Sequence, residues 1–326
     1  AKAKAVKKQI DAAQRDIDAG NYTPYFDISK RSDVDPSNYD FGTPTLQGNV
    51  PQRADTIAKY NALVNDPEAT RRLTEAFDEG LKIPGADRWY YMKQLEDEFV
   101  KELGPELGRK AFDEKFAKSM ASTTGGSDPK SNLRMAMYGN YLRENNIPYP
   151  QASYEMPYPI GGRYATGNIK MHDKMAGIPI DPKTNPKRNN FRGNFVGDKW
   201  SATIDEQMSG LFDPKLLLPP GNAYGVYEGK VADLAKKAGV GPRDYQDVAW
   251  AGAKKAKNPE RYGGSKPMIQ EVNEMIERTS RVTGLSPEEV VKKGLIGSKI
   301  PLYAAAAAAP ALGLLSQEQP GILGVE

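Results

Sequence analysis

Apolar residues recur along this chain at the three-and-four spacing of helices, and almost nowhere in the two-residue alternation of a half-buried strand. Ile10 and Ile17 share one face of a Lys-, Ala- and Asp-containing run from Ala1 to Asp18, which reads as a solvated surface helix. From Gly20 to Pro51 the period is lost, and the Asn, Tyr, Asp, Ser, Pro and Gly content is that of an extended linker. Helical spacing returns at Arg53 with Ile57, Tyr60, Leu63 and Val64, and Asp66-Pro67-Glu68 starts a second helix through Phe77. A Gly-containing turn then leads to an amphipathic helix that opens on Trp89-Tyr90-Tyr91-Met92 and carries Leu95, Phe99 and Leu103. One further helix runs through Phe112, Phe116 and Met120. Another, opened by Asp128-Pro129, carries Leu133, Met137 and Leu142. The Gly125-Gly126 pair between them lacks Walker spacing and reads as a helix connection.

Residues 146–190 form the longest irregular section, broken by a short helical run near Asn168 to Ala176, and long loops within a domain are often functional. His172 falls in this section and reads as a surface or locally hydrogen-bonded side chain. Thr203-Ile204-Asp205 leads into a new helix. Tyr227, Val231 and Leu234 mark the next, from Tyr224 to Ala238, which stops at Gly239. Pro242 opens a helix on which Tyr245, Val248, Ala249 and Gly252 share a face, with Lys254, Lys255 and Lys257 near its dipole-favoured end. Pro267 to Val282 is amphipathic, and Ser286-Pro-Glu-Glu has a capping-type start.

The expected fold class is all-α: a multi-helix globular domain with long irregular loops and extended N- and C-terminal segments. It divides into an N-terminal helix and linker (1–52), a helical module (53–257), C-terminal helices (258–299) and an Ala-rich apolar tail (300–326). The tail is interrupted by Pro310 and falls short of the roughly 20 apolar residues of a membrane span. No stable transmembrane span is expected. A loosely ordered terminus is the first reading of the tail, and docking on another chain or transient membrane contact the second.

Only 39% of the 326 residues are apolar and the mean hydropathy is −0.64, which fits a globular middle with poorly packed ends. The net charge of +3 is too small to argue for nucleic acid by itself. Local charge says more: between Gly161 and Trp200 there are eight Lys or Arg against three Asp. The absence of cysteine excludes disulfides, thiolate zinc sites, iron–sulfur clusters and cysteine nucleophiles. A single histidine excludes a multi-His metal site, and no metal or cofactor is expected. Because the first residue is Ala, the chain reads as processed or as a piece of something longer, and AKAKAVKKQI does not look like a secretory signal.

Two readings carry chemistry. Lys183, Lys187, Arg188, Arg192 and Lys199, interleaved with Phe191, Phe195 and Trp200, combine phosphate-neutralising charge with rings able to stack on bases. The alternative is that the aromatics are core and the charges a solvated face, since Phe191 and Phe195 stand at i, i+4. Asp205 at a helix start is first of all a cap. As a catalytic group it would stabilise a developing sugar cation or position water at C1′ of a flipped nucleotide, with Lys183 or Lys187 the amine for a lyase step.

Several landmarks in order resemble a helical module of phage and prophage large polyvalent proteins. They are Trp89-Tyr90, Ala121-Ser-Thr-Thr with Asn132-Leu133, Phe191-Arg-Gly-Asn-Phe, Ala202-Thr-Ile-Asp205, Tyr227, and Tyr245-Gln246-Asp247-Val248-Ala249-Trp250-Ala251. The resemblance implies a phage virion-associated or injected (ejection-type) structural protein, located in the virion or in the host cytoplasm after infection. Its partners would be other virion proteins and double-stranded DNA. A fainter similarity is to helix-hairpin-helix DNA glycosylases, with Gly177 to Asn190 at the hairpin, Phe191 to Val196 at its second helix and Asp205 at the catalytic aspartate. The hairpin's Gly-x-Gly is absent here. That similarity implies the alternative function, a DNA glycosylase or lyase acting on damaged or modified bases.

Overall fold

A computed structural model describes residues 2–41, 54–156, 160, 164–215, 219, 223–257 and 266–302. Among them the regular structure is helical and no strand occurs. The helices start where local chemistry lets them. Asp66 caps α3 (Pro67–Leu81) and Asp128 caps α7 (Pro129–Glu144), each with its carboxylate on a first-turn N–H and proline at the helix start. Ser286 and Glu289 complete a capping box on α14 (Pro287–Val290).

The chain from Trp89 onward is less regular than the aromatic pattern implied. Ala86–Arg88 is a 3-10 turn, Trp89 and Tyr90 lie outside any helix, and α4 begins only at Lys93, running to Leu103. α5 (Pro105–Phe112) passes into α6 (Lys118–Thr123) through a π turn at Asp113–Ala117. α8 spans Ala165–Met175 and α9 spans Pro186–Phe195. α9 thus begins before Phe191 and takes in Lys187 and Arg188, where the hairpin itself was expected. α10 (Glu206–Phe212), α11 (Tyr224–Ala238), α12 (Pro242–Lys257) and α13 (Met268–Thr283) follow.

Two large hydrophobic clusters and one small one hold these elements. The first gathers Trp89, Tyr90, Phe99, Phe112, Phe116 and Phe195 with the apolar faces of α13 and α14. The second joins α3, α10, α11 and α12 through Leu73, Phe77, Met208, Phe212, Tyr227 and Tyr245. A third, smaller cluster lies between α7 and α8. α3 and α12 approach until backbone meets backbone: a Cβ on Gly252 would lie 1.9 Å from the Ala76 carbonyl oxygen, and one on Gly80 would lie 1.9 Å from that of Val248. Only glycine permits so close a crossing.

The described N-terminal segment does not behave as a solvated appendage. α1 (Lys2–Asp18) buries Ile10, Ala13 and Ile17 and packs on α13, where a solvated helix was expected. Residues 20–41, expected as a linker, are pinned to the body. Asn273 of α13 accepts the Phe26 N–H at 2.8 Å and donates to the Phe26 carbonyl at 2.8 Å. Asp33 takes the fully buried Arg243 guanidinium through two hydrogen bonds of 3.1 and 2.7 Å. The first cluster therefore contains residues from Phe26 to Leu302, crossing the divisions expected at 52 and 257. The tail from residue 303 lies outside the described residues. Among the described ones, no helix is long and apolar enough to cross a membrane.

Candidate functional site

The segment between α9 and α10 has no regular secondary structure, so its backbone polar groups need other partners. Side chains supply them. Asn194 donates to the Asp198 and Ser201 carbonyls, each at 2.9 Å, and its own oxygen accepts from the Thr203 hydroxyl at 2.8 Å. Asn190 donates to the Ala202 carbonyl at 3.0 Å, Glu228 accepts the Ala202 N–H at 3.1 Å, and the Tyr224 hydroxyl accepts the Ile204 N–H at 2.7 Å. This scaffold of buried amides and hydroxyls sets Thr203 and Asp205 in place.

Asp205 does cap α10: its Oδ1 accepts the Met208 N–H at 2.9 Å. Its other oxygen is engaged elsewhere, accepting the Trp250 indole N–H at 3.0 Å. Each oxygen keeps a further lone pair. The carboxylate lines a recess that opens to solvent. Trp89, Tyr90, Phe191 and Trp250 supply aromatic walls. Thr124, Asn132, Thr203, Gln246 and Asp247 supply polar groups.

The recess lies on the seam between the two large clusters. Trp250 packs against both, and its ring centroid is 5.9 Å from that of Trp89. Its lining is drawn from residues 89–90, 124–132, 191, 203–205 and 246–250. Residues separated by more than 150 positions in sequence thus meet at one concavity.

Two amines lie within electrostatic reach of Asp205. Burial pushes the Lys187 ammonium below its ordinary value, with the Asp205 carboxylate opposing the shift and Arg188 adding to it. Burial lowers Lys254 as well, again against Asp205 and Asp128. The Lys254 ammonium stands 3.9 Å from the centroid of the Trp250 ring, a cation–π arrangement on the residue that holds Asp205. Asp247, sealed in the recess, has its carboxyl raised well above the usual range by burial. Arg243 opposes that shift, and Asp244, Asp87 and Asp33 add to it.

The basic-aromatic surface expected from residues 183–200 is not assembled as one face. Phe191 and Phe195 are core, packed on Trp89 and Tyr90, so stacking on bases is closed to Phe195; Phe191 shows an edge only inside the recess. Arg192 is spent within the fold, gripping Asp113 of the π turn at 2.7 and 2.5 Å and the Asp40 carbonyl at 2.9 Å. Arg188 is half-buried and bonds Asn185 at 3.3 Å. Lys199 is exposed but leans on Asp33 at 3.4 Å. Lys183 is exposed, and Trp200 at 76% exposure is free to meet a partner. The physical reason is burial: the rings of α9 go inward and Arg192 finds an acid within the fold.

His172, read as a surface or locally bonded group, is buried and bonded to distant partners. It meets Ser119 at 3.1 Å, Asn140 at 3.3 Å and the Tyr149 hydroxyl at 3.1 Å. Asn132, Gln246, Asp247, Trp250 and Lys254 were given no chemistry by the sequence. Gln246 and Asp247 are buried polar residues on α12, and nothing in their local sequence distinguishes them from a solvated pair. Among the described residues, no group of His, Asp or Glu could hold a metal ion. No protein-family model, curated protein or solved structure matches the chain.

Proposed function

We propose that this protein releases bases from DNA: the recess takes a nucleotide swung out of the helix, and Asp205 with Lys187 breaks its N-glycosidic bond. The single observation that carries this reading is a carboxylate held by Met208 and Trp250 on the wall of an aromatic-lined, polar-edged recess, with the part-buried Lys187 amine in electrostatic reach of it. Rings on the walls suit the faces of a planar heterocycle, and amide and carboxyl groups suit its edge. Of the two lysines considered from sequence, Lys187 senses Asp205, whereas Lys183 is exposed.

The step is a displacement at C1′. The unprotonated Lys187 amine forms the new C1′–N bond as the old bond breaks. Its electron pair leaves with the base, which takes a proton from water. The proton shed by the attacking nitrogen passes to Asp205. Before it takes that proton, the negative carboxylate favours the positive charge that develops on the sugar. The C1′–O4′ bond then breaks as the lysine nitrogen's lone pair forms C1′=N, and O4′ takes the proton held by Asp205, leaving a protonated Schiff base. Lowering the lysine pKa raises the fraction of amine able to attack.

Asp205→Asn preserves a helix cap of similar strength but removes the charge and the proton acceptor. Incubation with duplexes bearing damaged or modified bases is expected to give base release that falls by at least about a hundredfold in this variant. Borohydride should trap a protein–DNA adduct with the wild type and not with Lys187→Gln. Base release that survives Asp205→Asn undiminished would overturn the reading.

The virion-associated, structural reading rests on the resemblance of the landmark segments. It predicts this chain in purified particles, which mass spectrometry tests independently. DNA contact through Lys183, Lys199 and Trp200 would serve either role, and it should weaken as salt rises.

A further inference from the structure

We propose that Asp247 and Gln246 form the reading edge of the recess, and that the ring it accepts presents a lactam edge, an N–H beside a C=O. This rests on the base-releasing reading above and names the class of base.

The observation is a pair of polar groups without partners. Asp247 and Gln246 are 3% and 4% exposed and both line the recess. Neither the Asp247 Oδ2 nor the Gln246 Oε1 makes a hydrogen bond. An unpartnered buried polar atom costs about 1–3 kcal/mol, and folded proteins keep few of them. Two such atoms at adjacent positions on one helix, both in a recess walled by rings, are what a site looks like when its occupant supplies the missing bonds.

The chemistry of the pair narrows that occupant. Burial favours the neutral form of the Asp247 carboxyl. A neutral carboxyl carries one donor and one acceptor side by side, and a carboxamide does the same. Such a group closes a ring of two hydrogen bonds with a lactam: its O–H donates to the ligand C=O, and its C=O accepts from the ligand N–H. An ionised carboxylate could only accept and would repel the carbonyl.

The charged groups around Asp247 come from three elements. Arg243 and Asp244 lie on α12, Asp87 on the 86–88 turn and Asp33 on the N-terminal segment. Arg243 is already committed to Asp33 and Asp244, which blunts its pull on the Asp247 proton.

The test reads binding and not cleavage. Calorimetric titration compares 2′-deoxyuridine and 2′-deoxyinosine with their N3-methyl and N1-methyl derivatives, in which the edge N–H is blocked. Wild type should bind the methylated forms at least about tenfold more weakly, because a site built to pair an N–H rejects the analogue lacking it. Asp247→Asn, which keeps a donor beside an acceptor, should retain the preference. Asp247→Ala should lose it.

Equal affinity for methylated and unmethylated nucleosides, or no binding of either at millimolar concentration, would overturn the proposal. So would a preference that persists in Asp247→Ala. If the alanine variant does not fold, the methylated series and the asparagine variant decide the question alone. Lactam preference without base release would overturn only the glycosidic chemistry, and base release without that preference only the present inference.

Discussion

His172 shows how far a single residue can depart from its local sequence. Its ring is sealed among helices, and burial with help from Arg143 and Lys118 lowers its pKa from 6.5 to about 3. The unfolded chain therefore binds a proton that the native state refuses, so stability falls as pH drops from about 6.5 toward 3, by about 1.4 kcal/mol per unit at most. Asp247 acts with the opposite sign, its contribution fading as pH rises above the carboxylate range. The quantity to read is thus the difference between wild type and His172→Gln in urea unfolding at pH 7 and pH 5. That difference should shift in favour of the variant on acidification, and an identical pH slope in both proteins would exclude the effect. Nothing near Met171-His172-Asp173 foretold this, because Ser119 and Asn140 arrive from other helices. Asp205 was legible as a cap because capping is local. Its second bond, to Trp250, was not, since that partner lies 45 positions away.

At the level of elements, the crossing of α3 and α12 sets the geometry of the recess, since α12 carries Gln246, Asp247 and Trp250. Gly252→Ala should force these helices apart and cost about 1–3 kcal/mol or more. Gly167→Ala is the contrast: that glycine sits in α8 with open space around its missing Cβ, and the change should be neutral or stabilising by up to about 1 kcal/mol. Thermal melts of both variants check the pair, and equal shifts would show that the crossing tolerates bulk. Helix starts were readable wherever Asp-Pro or Ser-Pro announced them. α9 was harder, because its Asn- and Arg-rich sequence has no apolar stripe beyond Phe191 and Phe195. Its asparagines serve the neighbouring backbone, a task that leaves no period in the sequence.

For the whole molecule, the N-terminal segment is part of the fold. The buried Arg243 pairs with Asp33 and Asp244, so Asp33→Ala, which removes a two-bond charged partner and leaves the other, should cost about 1.5–3 kcal/mol. Removing residues 1–41 should lower the melting midpoint further, because α13 would also lose its cover from α1 and Phe26. An unchanged midpoint in the truncated chain would make that segment a passenger. The all-helical class was legible from spacing alone. The joining of the N-terminal segment to the core was not, since polar composition at 20–41 hides the few residues, such as Phe26 and Val34, that are buried there.

The recess belongs to no single stretch of chain: its walls are lent by residues near 89, 124, 132, 191, 205 and 250. Such a cavity is absent from any fragment and from any half-folded state, so whatever fills it reports on the entire tertiary structure. An occupant present at a hundred times its dissociation constant would add about 2.7 kcal/mol to the unfolding free energy. It would do so as one cooperative shift, which makes heat resistance of the intact protein a direct screen for what the cavity holds.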